Sequence, residues 1–85
     1  MNKEYLERMM KFGHLKNEVL GLVSEYRSRH FDLRYDPTLD CIVYNERNLI
    51  EFESGMFAGI KIKDDSEITK DLSSRLVNLG FCIVN

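Results

Sequence analysis

Residues 49–63 alternate on both sides of a short break, and this pattern leaves the chain few ways to fold. Leu49-Ile50-Glu51-Phe52-Glu53 and Gly59-Ile60-Lys61-Ile62-Lys63 each read as a strand. Folding the segment back about Met56 sets Phe52 opposite Ile60 and Ile50 opposite Ile62. The same register sets Glu51 opposite Lys61. Apolar meets apolar and opposite charges meet, so both faces of the hairpin specify one register. The tip, Ser54-Gly55-Met56-Phe57-Ala58, carries an apolar pair where polar turn residues are the norm.

The rest of the chain supplies partners for this hairpin. Residues 3 to about 29 hold many strong helix formers and no proline, and they predict a first helix. Phe12, Leu15, Val19, Leu22, Val23 and Tyr26 fall on one face at helical spacing. Leu6, Met9, Met10 and Leu20 point away from the centre of that stripe, so the helix is apolar on more than one side. A helix of this length spans roughly 40 Å at 1.5 Å per residue, more than a small sheet covers. Phe31–Tyr35 and Cys41–Tyr44 predict two more strands. Asp36-Pro37-Thr38-Leu39-Asp40 forms the turn between them, and Asn45-Glu46-Arg47-Asn48 a polar turn after them.

A second helix follows the hairpin. Asp64, Asp65 and Ser66 offer caps, Ile68, Leu72, Leu76 and Leu79 form a narrow stripe, and Gly80 stands where a helix C-terminus takes a left-handed residue. Phe81-Cys82-Ile83-Val84 predicts a last strand. The order is α-β-β-β-β-α-β, an α+β fold with a mainly antiparallel sheet and both helices on one face. The last strand can pair antiparallel with the first or parallel with the fourth, and the first is the favoured partner. Phe31, Leu33, Tyr35, Ile50, Phe52, Ile60, Ile62, Phe81 and Ile83 are expected under the helices. Asp32, Arg34, Glu51, Glu53, Lys61 and Lys63 are expected on the open face.

Composition bounds the function. At 85 residues the chain predicts one compact domain over 1–85. A formal net charge of -2 excludes a globally basic nucleic-acid binder, though not a local basic patch. No apolar run reaches the ~20 residues that span a bilayer, so no membrane partner is expected. The charged start, Met1 to Arg8, lacks the apolar core of a signal peptide, which points to the cytoplasm. In that compartment Cys41 and Cys82 are expected to be free, buried thiols.

No motif commits the chain to catalysis, a cofactor or a metal. Two cysteines and two distant histidines make no zinc pattern, and the acidic pairs Asp36/Asp40 and Asp64/Asp65 lack the oxygen spacing of a calcium loop. What the sequence offers is binding surface. Met56 and Phe57 suit an anchor in a partner's pocket, or else fold back beneath a helix end. Leu6, Met9 and Met10 suit a helix-on-helix contact, most simply a two-fold homodimer, or else cap the core. Arg34, Glu51, Lys61 and Lys63 form a possible charged recognition face.

The reading that follows is a non-enzymatic protein-binding module. It would act sterically on a larger protein, as inhibitors, immunity proteins and phage or microbial accessory proteins do. The alternative is a dimeric nucleic-acid-associated regulator that uses the basic cluster Arg27, Arg29, His30 and Arg34. Its basic residues would then meet phosphate, whereas at the end of a helix they also suit the helix dipole.

Overall fold

A computed structural model describes residues 3–53 and 59–85, with the side chains of residues 4–14 outside the description. The element order is the expected one: α1 Lys3–Tyr26, β1 Leu33–Asp36, β2 Cys41–Tyr44, β3 Arg47–Glu53, β4 Gly59–Ile62, α2 Glu67–Leu79 and β5 Cys82–Ile83.

Helix α1 buries Leu15, Val19, Leu22 and Val23 at the spacing the sequence sets out. It stops at Tyr26, earlier than expected. The N–H groups of Arg29 and His30 both donate to the Tyr26 carbonyl, at 3.1 and 2.9 Å, and close the last turn. Phe31 therefore falls in the link to β1 and is 79% exposed instead of lying in the core. The Leu33 N–H donates to His30 O at 2.9 Å, and the strand starts there.

Strands β1 to β4 form an antiparallel meander. In the first turn the Asp36 carboxylate accepts from the N–H groups of Thr38 (2.9 Å) and Leu39 (3.3 Å), an Asx turn. The second turn is tighter than the sequence implies. Tyr44 pairs directly with Arg47, leaving only Asn45 and Glu46 between the strands. Both have positive φ, 49° and 67°, as a type I′ hairpin requires.

A bulge interrupts the β2–β3 ladder. Ile42 faces Ile50 but Val43 faces Asn48, so Leu49 is an extra residue on β3. It lets Leu49 and Ile50, adjacent in sequence, both be fully buried. The β3–β4 register is the predicted one, with Ile50 opposite Ile62, Glu51 opposite Lys61 and Phe52 opposite Ile60. The ion pair is displaced by one step: Lys61 Nζ reaches Glu53 Oε2, at 3.3 Å.

The last strand corrects an expectation. β5 pairs parallel with β4, with Gly59 beside Cys82 and Ile60 beside Ile83, and does not pair with β1. Both pairings give β5 the same direction, so direction alone does not decide. The connections decide: residues 63–66 lead into α2 and only residues 80–81 lead out. Such short links hold β5 beside the strand that precedes the helix and cannot carry it across four strands. Gly80, at φ 122°, makes that exit, and its N–H and that of Phe81 satisfy the carbonyls of Val77 and Leu76. Beyond β5, the Asn85 amide donates to Ile62 O (2.9 Å) and accepts from Ile62 N–H (3.1 Å), copying one peptide unit of the ladder.

One cluster joins Leu15, Val19, Leu22 and Val23 of α1 and Leu72 and Leu76 of α2 to Leu33, Ile42, Ile50, Phe52 and Ile60 of the sheet. The pairing register puts these sheet residues on a single face. Cys41 and Val43 alternate with Ile42, are buried, and stand outside that cluster. The opposite face thus has an apolar centre beneath its charges. Cys82 and Ile83 are exposed, contrary to expectation, because β5 is a two-residue edge strand. Among the described residues no helix is long and apolar enough to cross a membrane.

The start of α2 is organised by Asp64. Its carboxylate accepts from the Ser66 hydroxyl, from Ser66 N–H at 3.1 Å and from the buried Thr69 hydroxyl at 2.7 Å. Arg47 pairs with it at 3.2 Å. The Ser66 and Thr69 hydroxyls hold the carboxyl down to about 2 against the opposing effect of desolvation, with Ser66 N–H and Arg47 adding to the shift. A carboxyl lowered on folding stabilises above its unfolded value near 3.8, and that stability is lost as pH falls through about 2.

Two predictions follow from the fold. Asp64→Ala should lower the melting temperature at pH 6, and the gap to wild type should narrow below pH 4 and close near pH 2. A gap that is constant with pH contradicts the assignment. Glu46→Gly relieves a left-handed non-glycine residue and should stabilise the protein by about 0.5–1 kcal/mol. A lower denaturation midpoint would show that the turn does not need that conformation.

Candidate functional site

The meander puts the β1–β2 turn and the β3–β4 connection at the same end of the sheet. At this end Leu39 projects from the turn, 59% exposed. Met56 and Phe57 belong to the β3–β4 connection and lie outside the described residues. The side chains of Leu6, Met9 and Met10 lie outside them as well.

Helix α1 is tied to this same end by a polar cluster whose members lie far apart in sequence. Lys16 Nζ donates to the Tyr35 hydroxyl at 2.8 Å and to the Asp40 carboxylate, and the Tyr35 hydroxyl also donates to Asp40. The ammonium stands 4.9 Å from the ring centres of both Tyr35 and Phe52. Burial pulls the Lys16 ammonium down, but the hydrogen bonds to Asp40 and Tyr35 and the Asp40 charge outweigh it and leave it raised. Burial, with the bond to Asp40, also pushes the Tyr35 phenol up, against the opposing effect of Lys16. A lysine and a tyrosine shifted this way hold their protons, and with Asp40 they clamp α1 to the turn. Asp40 takes positive φ, 53°, as the residue that ends the turn, and its carbonyl accepts from Phe52 N–H at 2.9 Å.

The open face carries a row across four strands: Asp36, Cys41, Glu51 and Lys61. Arg34 lies on the same face and pairs with Asp36 at 3.4 Å. The N–H groups of Leu39 and Thr38, with Arg34, hold the Asp36 carboxyl below its usual range. Burial pushes the Cys41 thiol up, and the charges of Asp36, Glu51 and Asp40 push it further, with Arg34 opposing. A buried, protonated thiol is a poor nucleophile. Arg34, Glu51 and Lys61 therefore share the open face. Lys63 follows β4, exposed, its N–H donating to Leu49 O at 2.9 Å.

The residues of the basic cluster lie between the end of α1 and the start of β1. Arg27 and Arg29 are exposed just past α1, while Arg34 is on β1 and paired with Asp36. His30 stacks on Tyr26, with ring centres 6.4 Å apart, and meets the edge of Tyr44 at 5.8 Å. This end of α1 opens on a cleft shared with Glu67, Ile68 and Asp71 of α2. Tyr26 donates its hydroxyl to Asp71, and Arg75 lies over the Tyr26 ring and pairs with Glu25 at 3.4 Å. Charges of both signs line the cleft, so it has no strong preference for an anion. Among the described residues no group of three His, Cys, Asp or Glu side chains could hold a metal ion.

Compared with known proteins, the chain matches no family model, no curated protein and no solved structure.

The two thiols give a direct check on this geometry. In native protein at pH 8, Cys82 should react promptly with a thiol reagent and Cys41 only after denaturation. Equal reaction rates for the two in the native state would contradict the burial of Cys41.

Proposed function

We propose that the protein is a small non-enzymatic module that binds another protein and acts sterically, in the manner of an inhibitor, immunity or accessory protein of the cytoplasm. One observation carries this reading. Leu39 is 59% exposed at the sheet end from which β3 and β4 lead into residues 54–58, where the sequence places Met56 and Phe57. An exposed apolar surface bordered by charged residues is the kind of patch that marks contact with a partner. The Lys16–Tyr35–Asp40 clamp supports the reading, because it holds Leu39's turn against α1. A presented surface of this kind loses little entropy on binding.

The nucleic-acid alternative rests on Arg27 and Arg29, and the pairing of Arg34 with Asp36 offsets part of the cluster's charge.

The test uses a variant with Leu39→Ser, Met56→Ser and Phe57→Ser. Immobilised wild type should retain a defined partner from an extract of the source cell, saturably and at fixed stoichiometry. The variant should lose that partner with its melting temperature unchanged. Retention of the partner by the variant, or a collapse in its stability, would overturn the assignment of this end.

A further inference from the structure

The link between α1 and β1 holds an aromatic ring that the core does not use. Phe31 is the most exposed large apolar side chain among the described residues, at 79%. Two consecutive turns put it there. Tyr26 O accepts from the N–H groups of Arg29 and His30, and His30 O accepts from Leu33 N–H at 2.9 Å. The second bond closes a turn whose central residues are Phe31 and Asp32. His30 is held inward, its ring stacked on Tyr26 and set against the edge of Tyr44. That anchor fixes the link, and the residues on either side of it, Arg29 and Phe31, are exposed.

The arginines of this link differ from the rest. Arg34, Arg47 and Arg75 each pair with a carboxylate, that of Asp36, Asp64 and Glu25, at 3.4, 3.2 and 3.4 Å. Arg27 and Arg29 have no ion pair and no side-chain hydrogen bond among the described residues. The carboxylates of the adjoining cleft are engaged elsewhere. Glu25 pairs with Arg75, Glu67 with Lys70 at 3.8 Å, and Asp71 accepts from the Tyr26 hydroxyl. Residues 27–32 contain two arginines against one carboxylate, Asp32, so the link is positive in a chain whose formal net charge is -2.

We propose that this link is a contact site for single-stranded nucleic acid, with Phe31 stacking on a base and Arg27 and Arg29 meeting the phosphates beside it. All three side chains are free to do so without breaking a contact of the fold. An exposed aromatic ring flanked by guanidinium groups complements a strand in which flat bases alternate with phosphates. The ring selects the single strand, because a base inside a duplex already has both faces stacked. A membrane surface calls for a cluster of about four to eight basic residues, more than this link supplies. The site lies at the end of the sheet opposite Leu39, since β1 begins at Leu33 beside the link and runs to Asp36, where Leu39's turn begins. The inference therefore goes beyond the protein-binding reading and does not depend on it.

The experiment is a fluorescence-anisotropy titration of full-length protein against a labelled, mixed-sequence single strand, prepared as DNA and as RNA. A strand of about 12 nucleotides lies within the site sizes of single-strand binders. Wild type should bind at low salt, and two phosphate contacts should give log K against log salt a slope of about -1.4. Arg27→Gln with Arg29→Gln should flatten that slope. Phe31→Ala should keep the slope and weaken binding about tenfold, as the loss of one stacked base does. Its melting temperature should match wild type, because the ring is exposed. Binding to a duplex of the same sequence should not respond to Phe31→Ala.

Failure of both single strands to bind at low salt would overturn the proposal. So would binding that Phe31→Ala leaves unchanged, or that it weakens equally for the duplex. Polyglutamate of matched charge that competes as well as unlabelled oligonucleotide would assign the link to an acidic protein and overturn the proposal too. The Leu39, Met56 and Phe57 variant should bind the oligonucleotide as wild type does, so this site and the protein-binding reading fail separately.

Discussion

Everything in this structure depends on one layer of contact, the apolar face that Ile42, Ile50, Phe52 and Ile60 present to both helices. A chain of 85 residues buries a smaller fraction of its surface than a large domain does, so it has little stability to spare. It cannot support two separate cores. Helices α1 and α2 share this one, and the β2–β3 bulge adds Leu49 to it. The consequence lies on the outside. Because α1 and α2 are committed to the sheet through one stripe each, their outer sides, the open sheet face and the turn ends are left for contacts with other molecules.

The electrostatics follow the same division of labour. The polar clusters hold elements together: Asp64 organises the start of α2, Asp36 the first turn, and the Lys16–Tyr35–Asp40 cluster fastens α1 to the sheet end. Lys16, Tyr35 and Cys41 are all shifted in the direction that keeps their protons. Read as restraints, the clusters keep Leu39's turn in a fixed relation to α1.

Much of the fold was legible in the sequence where pattern and chemistry pointed the same way. The β3–β4 register was fixed twice, by Phe52 and Ile60 on one face and by Glu51 and Lys61 on the other, and the structure has that register. The β5 partner was not legible, because both pairings satisfy strand direction and only the lengths of the links around α2 separate them. The bulge was hidden because Leu49 and Ile50, adjacent and both apolar, read as the start of an ordinary strand. Phe31 and Cys82 misled for a shared reason: each lies in a β-rich run, but at a point where the element has ended or is an unsupported edge. At the candidate site, the exposed Leu39 had a visible signal, an apolar residue inside a polar turn. The clamp had none, because Lys16 meets Asp40 across 24 positions of sequence.

The most direct test of the shared core is native-state amide hydrogen exchange, read residue by residue. If one layer holds both helices to the sheet, the slowest amides of residues 15–23 in α1, of α2 around Leu72 and Leu76, and of β2, β3 and β4 should open with a single common free energy, equal to that of global unfolding. If instead either helix exchanges through its own opening, well below the free energy of the sheet, then the helices and the sheet do not share one core and the account is wrong.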